Sequence, residues 1–158
     1  MSVELAAATA EDTHGIGRRL ARLLHAGDLV VLSGDLGAGK TTFTQGLGEG
    51  LRVRGGVTSP TFVISRVHPS QVGGPALVHV DAYRLAGLAE LDDLDLDTSL
   101  EDAVTVVEWG TGVAEALAED RVEVEITRAH ADEEGEYRTV RLRAVGPRWA
   151  GVDLGGLA

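Results

Sequence analysis

Residues 33–42 read Ser-Gly-Asp-Leu-Gly-Ala-Gly-Lys-Thr-Thr, which fills the pattern G-x-x-x-x-G-K-[ST]. An apolar, β-branched run precedes this stretch at residues 28–33, and residues 42–51 have the pattern of a helix. In a strand–loop–helix unit of this kind, backbone N–H groups and a helix N-terminus converge on phosphate. A glycine-rich turn without a ligand is the alternative. The sequence predicts a nucleotide site formed by Gly34, Asp35, Leu36, Gly37, Ala38, Gly39, Lys40, Thr41 and Thr42.

The basic residues of the chain support this interpretation of the loop. Lys40 is the single lysine, and the other basic residues are all arginine. A compact ammonium at this position can reach the outer phosphates, whereas a guanidinium has a different shape and hydration. The hydroxyl of Thr41 can coordinate Mg²⁺. We therefore expect Lys40 to be catalytic and Thr41 to be a metal ligand.

Two carboxylates follow apolar runs elsewhere in the chain, at the ends of predicted strands where α/β folds place ligands. Glu108 follows residues 103–107 and is a candidate Mg²⁺ ligand, or else an ordinary exposed glutamate. Asp81 follows residues 77–80 and could hold a metal-bound water, orient the attacking water, or cap a turn.

Several neighbouring side chains are further candidates. Hydroxyls in Thr58-Ser-Pro-Thr61 suit contact with Mg²⁺ or a γ-phosphate, or else form a polar turn. This segment predicts a nucleotide-sensing switch made of Thr58, Ser59 and Thr61. Possible additional site residues are His79, Tyr83, Arg84 and Trp109. His79 and Tyr83 alternate with Asp81 and would share its face in an extended strand, while Trp109 could pack in the core or stack over a ligand.

The composition limits which partners and which nucleotide the chain is expected to bind. A guanine-reading [NT]-K-x-D motif is impossible with one lysine, and no L-S-G-G-Q element occurs, so ATP is favoured over GTP and transport-type ATPases are excluded. The net charge of −11 disfavours direct, strong binding of nucleic acid. Cysteine is absent, which excludes disulfides and thiol catalysis. Without a membrane-spanning run or a signal peptide, we expect a cytoplasmic protein that does not contact the membrane.

Periodicity predicts the remaining elements. Thr9 and Asp12 resemble a capping box for a helix to about His25, with Gly27 as its C-cap. We expect one domain over residues 1–158, with a core at about 3–145 and a loosely held, glycine-rich tail at 146–158.

The other predicted strands are residues 3–7, a hairpin at 62–67 and 76–81, and residues 122–126 and 139–145. A short helix is predicted at 110–117.

Four motifs together resemble one family, the bacterial TsaE (YjeE) family of small P-loop ATPases, over roughly residues 3–145. They are Gly34-Asp-Leu-Gly-Ala-Gly-Lys-Thr-Thr42, Thr58-Ser-Pro-Thr-Phe62, His79-Val-Asp-Ala-Tyr-Arg-Leu85 and Glu108-Trp109. The resemblance implies an α/β, three-layer P-loop fold with a mixed, mainly parallel central sheet and helices on both faces. It also implies ATP and Mg²⁺ as cofactors, held by Lys40, Thr41 and Glu108, with Asp81 at the water or the outer metal shell.

The biological role that the resemblance implies is threonylcarbamoyladenosine modification of tRNA at position 37. The family binds and hydrolyses ATP while associated with the TsaD and TsaB proteins, and contact with tRNA would be indirect or weak. By analogy, residues 9–11 would contact the nucleotide. Two alternatives stay open: a small-molecule kinase, against which the acidic, arginine-free residues 85–102 argue, and a nucleotide-dependent binding module with little turnover.

Overall fold

A computed structural model describes residues 2–34, 39–53, 65–81, 103–108, 120–128 and 138–157. Within them lie β1 (Ser2–Ala7), α1 (Ala10–Ala21), β2 (Leu29–Gly34), α2 (Lys40–Leu51), β3 (Ser65–His68), β4 (Ala76–Asp81), β5 (Ala103–Glu108), β6 (Arg121–Arg128) and β7 (Arg138–Val145). Two short 3-10 helices, Pro147–Trp149 and Leu154–Leu157, follow β7. None of the helices in these ranges combines the length with the apolar character that a membrane span requires.

The strands form one mixed sheet in the order β1-β7-β6-β2-β5-β4-β3. Its centre is parallel, because β2 pairs in parallel with β5 and β6, and β4 pairs in parallel with β5. Its margins are antiparallel, through the β1–β7, β6–β7 and β3–β4 pairs. The α/β fold with a mixed sheet is thereby confirmed, as is the hairpin of β3 and β4. The parallel centre brings the carboxyl ends of β2, β4 and β5 to one edge.

The apolar core lies on one face of this sheet, where α1 and α2 both pack. Buried residues alternate with less buried ones along β6 and β7, as expected for strands with one covered face. The resulting cluster includes Ile16, Leu20, Val30, Leu32, Phe43, Leu47, Val106, Val124, Ile126 and Leu142. All six residues of β5 are buried, which explains why apolar residues dominate its sequence. The helix predicted at residues 110–117, and the acidic residues 85–102, lie outside the described residues.

The predicted capping box at the start of α1 is present. Thr9 Oγ1 accepts a hydrogen bond from the Asp12 backbone N–H at 3.1 Å, and Asp12 Oδ2 accepts one from the Thr9 N–H at 3.2 Å. Aspartate therefore fills the position that glutamate or glutamine usually occupies. The box satisfies donors at the helix N-terminus and fixes where α1 begins.

The predicted end of α1 was wrong. The α-helix ends at Ala21 rather than near His25. The next backbone N–H groups bond to carbonyls three residues back, which tightens the chain out of α-helical geometry. Gly27 is consequently not the C-cap. Its φ of 97° instead forms the turn into β2, where its N–H donates to the Ala103 carbonyl at 2.9 Å.

Glycines on both helices bring the backbones of α1 and α2 into close contact. A Cβ atom at Gly17 would lie 2.2 Å from the Phe43 carbonyl oxygen, and one at Gly46 would lie 2.0 Å from the His14 carbonyl oxygen. Both distances are far below van der Waals contact, so only hydrogen fits at either position. The crossing fixes α1 against α2, the helix that begins at the end of the glycine loop.

The C-terminal tail is not loosely held, which corrects the expectation from its glycine content. Trp149, Leu154 and Leu157 are almost fully buried and belong to the core cluster. Arg19 Nε donates to the Leu157 carbonyl at 2.7 Å, which ties the end of the tail to α1. Three apolar side chains spaced along the tail bury enough surface to order its glycines.

Arg148 fastens this tail to the segment between α1 and β2. Its Nη2 donates to the Leu23 carbonyl at 3.0 Å and to Asp28 Oδ2 at 3.1 Å, and its guanidinium lies 4.4 Å from the centroid of the Trp149 ring. Asp28 is buried, and its carboxylate also accepts from the His25 N–H at 2.6 Å. The guanidinium is thus the cation that compensates a buried carboxylate.

We expect Arg148→Ala to lower the free energy of unfolding by about 2 kcal/mol, because Asp28 would remain buried without its cation. The urea-unfolding midpoint measures this loss. Arg143→Ala is the matched control, since Arg143 is exposed and its pair with Glu123 at 3.4 Å is a surface contact. The control is expected to change stability by less than about 0.5 kcal/mol. Equal midpoints for the two variants would contradict the role assigned to Arg148.

Candidate functional site

The site begins where α2 leaves the glycine loop. Gly39 is the N-cap of α2 and has φ 106° and ψ 19°, a left-handed conformation that residues with a side chain rarely adopt. A glycine N-cap offers no side-chain oxygen to the first N–H groups of the helix, and the first turn of α2 contains no acidic residue. Such an N-terminus, with a partial positive charge, attracts an anion.

Lys40 is the first residue of α2, and its side chain is buried, with 7% of the residue exposed. Its ammonium donates from Nζ to the Gly34 carbonyl at 2.9 Å, which joins the start of the helix to the end of β2 across the loop. Thr44 Oγ1 donates to the Lys40 carbonyl at 2.9 Å, one turn further along α2. The next two residues, Thr41 and Thr42, are half-buried. Lysine and helix N-terminus therefore lie at the same end of the loop.

Helix α1 contributes a residue that sequence reasoning missed. Thr13 is buried, and its Cγ2 methyl would lie 3.7 Å from a Cβ atom at Gly39. It stands one turn after the N-cap Thr9 and donates from Oγ1 to the Thr9 carbonyl at 3.5 Å. A threonine in the first turns of a helix is common, so no sequence signal distinguished it. The first turn of α1 thus lies beside Gly39, the N-cap of α2, and the nucleotide contact expected for residues 9–11 stays a prediction.

Glu108 ends β5 as a buried carboxylate, with 5% of the residue exposed. Its Oε1 lies 2.9 Å from His79 Nε2, and His79 is fully buried in β4. The exposed-glutamate alternative for Glu108 is therefore excluded. The pattern placed His79 on a strand but did not identify its partner, because the contact depends on how β4 and β5 align.

Strand register brings positions 81 and 108 to the loop end of the sheet. Glu108 of β5 is paired with Leu32 of β2, two residues before Gly34 begins the loop. On its other side, Glu108 is paired with Asp81, the last residue of β4. The backbone thus places residues 81 and 108 side by side at the carboxyl ends of parallel strands.

The other predicted site residues have no described position. They belong to the interior of the glycine loop, to the predicted switch, and to the segments that follow β4 and β5. The residues that lie outside the described ranges are Asp35, Leu36, Gly37, Ala38, Thr58, Ser59, Thr61, Tyr83, Arg84 and Trp109. Their roles remain predictions. Among the described residues, no group of three or more His, Cys, Asp or Glu side chains could hold a metal ion.

A groove of about 350 Å³ lies on the opposite face of the sheet, and its charges compensate one another. Its lining consists of Val31, Ser33, Glu123, Val124, Glu125, Arg141 and Arg143. Arg141 pairs with Glu4 at 3.0 Å and with Glu125 at 3.7 Å, and the hydrogen bond and charge of Glu4 raise the pKa of its guanidinium. Arg143 pairs with Glu123. Since both cations face carboxylates, this groove is a poor phosphate site.

Comparison with known proteins gives a consistent match over most of the chain. Residues 7–139 match the family described as threonylcarbamoyl adenosine biosynthesis protein TsaE. The chain is 65% identical over 144 residues to the tRNA threonylcarbamoyladenosine biosynthesis protein TsaE of Streptomyces coelicolor, covering 90% of this chain and 97% of that one. The Mycobacterium tuberculosis H37Rv protein of the same name is 54% identical, covering 77% of each. A crystal structure of Bacillus subtilis YdiB superposes with a TM-score of 0.74 at 33% identity, covering 95% of this chain and 90% of that one.

Proposed function

The chain belongs to the TsaE family, whose members take part in tRNA threonylcarbamoyladenosine biosynthesis, and from that premise we propose that it binds and hydrolyses ATP in this pathway. The observation that carries the proposal is the arrangement around Lys40. Its ammonium is held at the Gly34 carbonyl, 2.9 Å away, next to a helix N-terminus whose glycine cap leaves room for an anion. A cation and several N–H donors at one loop suit the phosphates of a nucleotide.

Mg²⁺ fits the residues present, although the described part of the chain offers no cage of carboxylates. Mg²⁺ prefers oxygen ligands and usually takes one or two from the protein, with nucleotide phosphates and water supplying the rest. Glu108 and Thr41 would provide these oxygens, from the end of β5 and the first turn of α2. When bound, the ion would neutralise charge that develops on the transferred phosphoryl group.

Different residues of the chain would carry out different parts of the hydrolysis. Lys40 and the N–H groups at the start of α2 bind and orient the phosphates, and stabilise charge as the terminal phosphoryl leaves. Residue 81 stands beside Glu108 in the register of β4 and β5, which suits a role for Asp81 in orienting the attacking water. The hydroxyls of Thr58, Ser59 and Thr61 would report whether the γ-phosphate is present.

We further propose that hydrolysis serves a complex of the TsaD and TsaB proteins, and that the modified position is 37 of the tRNA. The net charge of −11 supports action through protein partners, because such a chain repels the phosphates of free tRNA. The cytoplasm, where ATP and tRNA are both present, is the proposed place of action.

A reconstitution experiment tests this proposal. Phosphate release by the protein alone is expected to be slow, and to rise severalfold when TsaD and TsaB are added with Mg²⁺ and ATP. The increase would come from partners completing the alignment of phosphate, metal and water. Omitting Mg²⁺ and supplying GTP in place of ATP are the matched controls, and both are expected to give little release.

Two results would overturn the assignment. ATP that binds but is not hydrolysed, even with TsaD and TsaB present, would favour a nucleotide-dependent binding module. Transfer of the phosphoryl group to an added metabolite, without any need for the partners, would favour a small-molecule kinase.

A further inference from the structure

His79 occupies a position where an apolar residue would be the simpler choice. It is fully buried in β4, between Val78 and Val80 along the chain and paired with Val106 of β5. A polar ring in such surroundings must satisfy two nitrogen atoms. Nδ1 is buried and has no hydrogen-bond partner in the described part of the structure. Packing therefore does not account for a histidine at position 79.

The other ring nitrogen has a well-defined partner. Nε2 lies 2.9 Å from Glu108 Oε1, and the two side chains are 0% and 6% exposed. An ionised carboxylate has only acceptors, so the Nε2–H donates and Glu108 Oε1 accepts. The strand register makes this contact possible, because position 79 is paired with 106 and position 108 is the next residue of β5 on the same face.

One oxygen of Glu108, Oε1, is thereby held by His79 Nε2. A carboxylate on a strand end can rotate about its side-chain torsions, and a buried hydrogen bond restricts this rotation. Ligands of metal ions are commonly oriented in this way by a neighbour that does not touch the metal.

We propose that His79 is a positioning residue, which acts through its hydrogen bond to Glu108 Oε1 and directs the second carboxylate oxygen towards the metal–nucleotide site. This inference rests on the proposed ATPase function, since it concerns the same carboxylate. It explains why a polar ring is kept in an apolar strand at a cost in hydrogen bonding: local departures from optimal packing are expected at functional sites.

The test compares two substitutions at position 79 in the full-length protein. His79→Leu removes the donor and keeps an apolar side chain, whereas His79→Gln retains a side-chain N–H near the position of Nε2. The first readout is the affinity for Mn²⁺, a spectroscopic substitute for Mg²⁺, in the presence of a non-hydrolysable ATP analogue. Electron paramagnetic resonance of free Mn²⁺ measures it without any turnover.

We expect His79→Leu to weaken Mn²⁺ binding by about 10- to 100-fold, a typical effect of losing a residue that orients a metal ligand. The kcat of ATP hydrolysis with TsaD and TsaB should fall in parallel, while nucleotide affinity measured without metal stays the same. His79→Gln should recover most of the lost Mn²⁺ affinity. The urea midpoint of His79→Leu should not fall, because leucine suits the buried strand.

A double variant isolates the contact from its surroundings. Glu108→Gln alone is expected to weaken Mn²⁺ binding, and adding His79→Leu should then change it little, because the partner is already lost. Unchanged Mn²⁺ affinity in His79→Leu, or an equal loss in both backgrounds, would overturn the inference and leave His79 a residue of the core.

A result that rejects the proposed ATPase function can be distinguished from one that rejects the role of His79. A wild-type protein that binds Mn²⁺ and nucleotide but releases no phosphate with TsaD and TsaB would reject the ATPase. The Mn²⁺ comparison between His79→Leu and His79→Gln would still decide the role of His79.

Discussion

Replacing Lys40 by alanine is expected to lower partner-stimulated phosphate release by about 100- to 1,000-fold, the usual effect of removing one preorganised donor from a transition state. Lys40 is the single lysine of the chain and lies in the first turn of α2. Its ammonium can there stabilise the negative charge that develops on the leaving phosphates. Steady-state phosphate release with TsaD, TsaB and saturating ATP measures the effect.

The fold of Lys40→Ala should survive. The substitution removes a buried charge, which is costly to keep away from water, and places a strong helix former at the first position of α2. Its urea midpoint should therefore stay close to that of the wild type. Lys40→Arg should also be impaired, because a planar guanidinium does not replace a compact ammonium.

Arg22→Ala is the control for Lys40→Ala, because it also removes one positive charge from the protein. Arg22 is the exposed C-cap of α1, and its removal should leave turnover unchanged. Wild-type turnover in Lys40→Ala would reject the assignment of the loop as the catalytic phosphate site.

Gly46→Ala is expected to destabilise the protein by about 3 kcal/mol, the upper part of the range for overpacking a core. The new Cβ would stand 2.0 Å from the His14 carbonyl oxygen, so α1 and α2 would have to move apart along their whole crossing. The direction of the change in unfolding free energy is informative. Alanine has a higher helix propensity than glycine by about 1 kcal/mol, so without the steric conflict it would stabilise α2. Urea unfolding at equilibrium gives the difference.

Gly15→Ala is the matched control for this prediction, since it makes the same change in α1. A Cβ there would meet only the Arg19 side chain, at 3.3 Å, and that side chain can move. The control should be neutral or stabilising by up to about 1 kcal/mol. If both variants proved equally stable, the close approach of the two helices would be wrong.

Local patterns in the sequence were sufficient for much of the fold. The apolar runs that became β2 and β5, the capping box of Thr9 and Asp12, and the hairpin of β3 and β4 are all consequences of neighbouring residues. Four motifs in a fixed order also sufficed for the TsaE family, which the match over residues 7–139 confirms. Such features depend on chain-local chemistry, which a sequence displays directly.

The tertiary structure alone decided three other features. It buried the glycine-rich tail through Trp149 and Leu157, it pressed α1 against α2 at Gly46, and it placed His79 against Glu108. Each depends on residues far apart in the chain meeting in one register, and a pattern along the sequence carries no information about that register. The glycine loop and Glu108 could thus be predicted one at a time, whereas the contact between His79 and Glu108 exists only once β4 and β5 lie side by side.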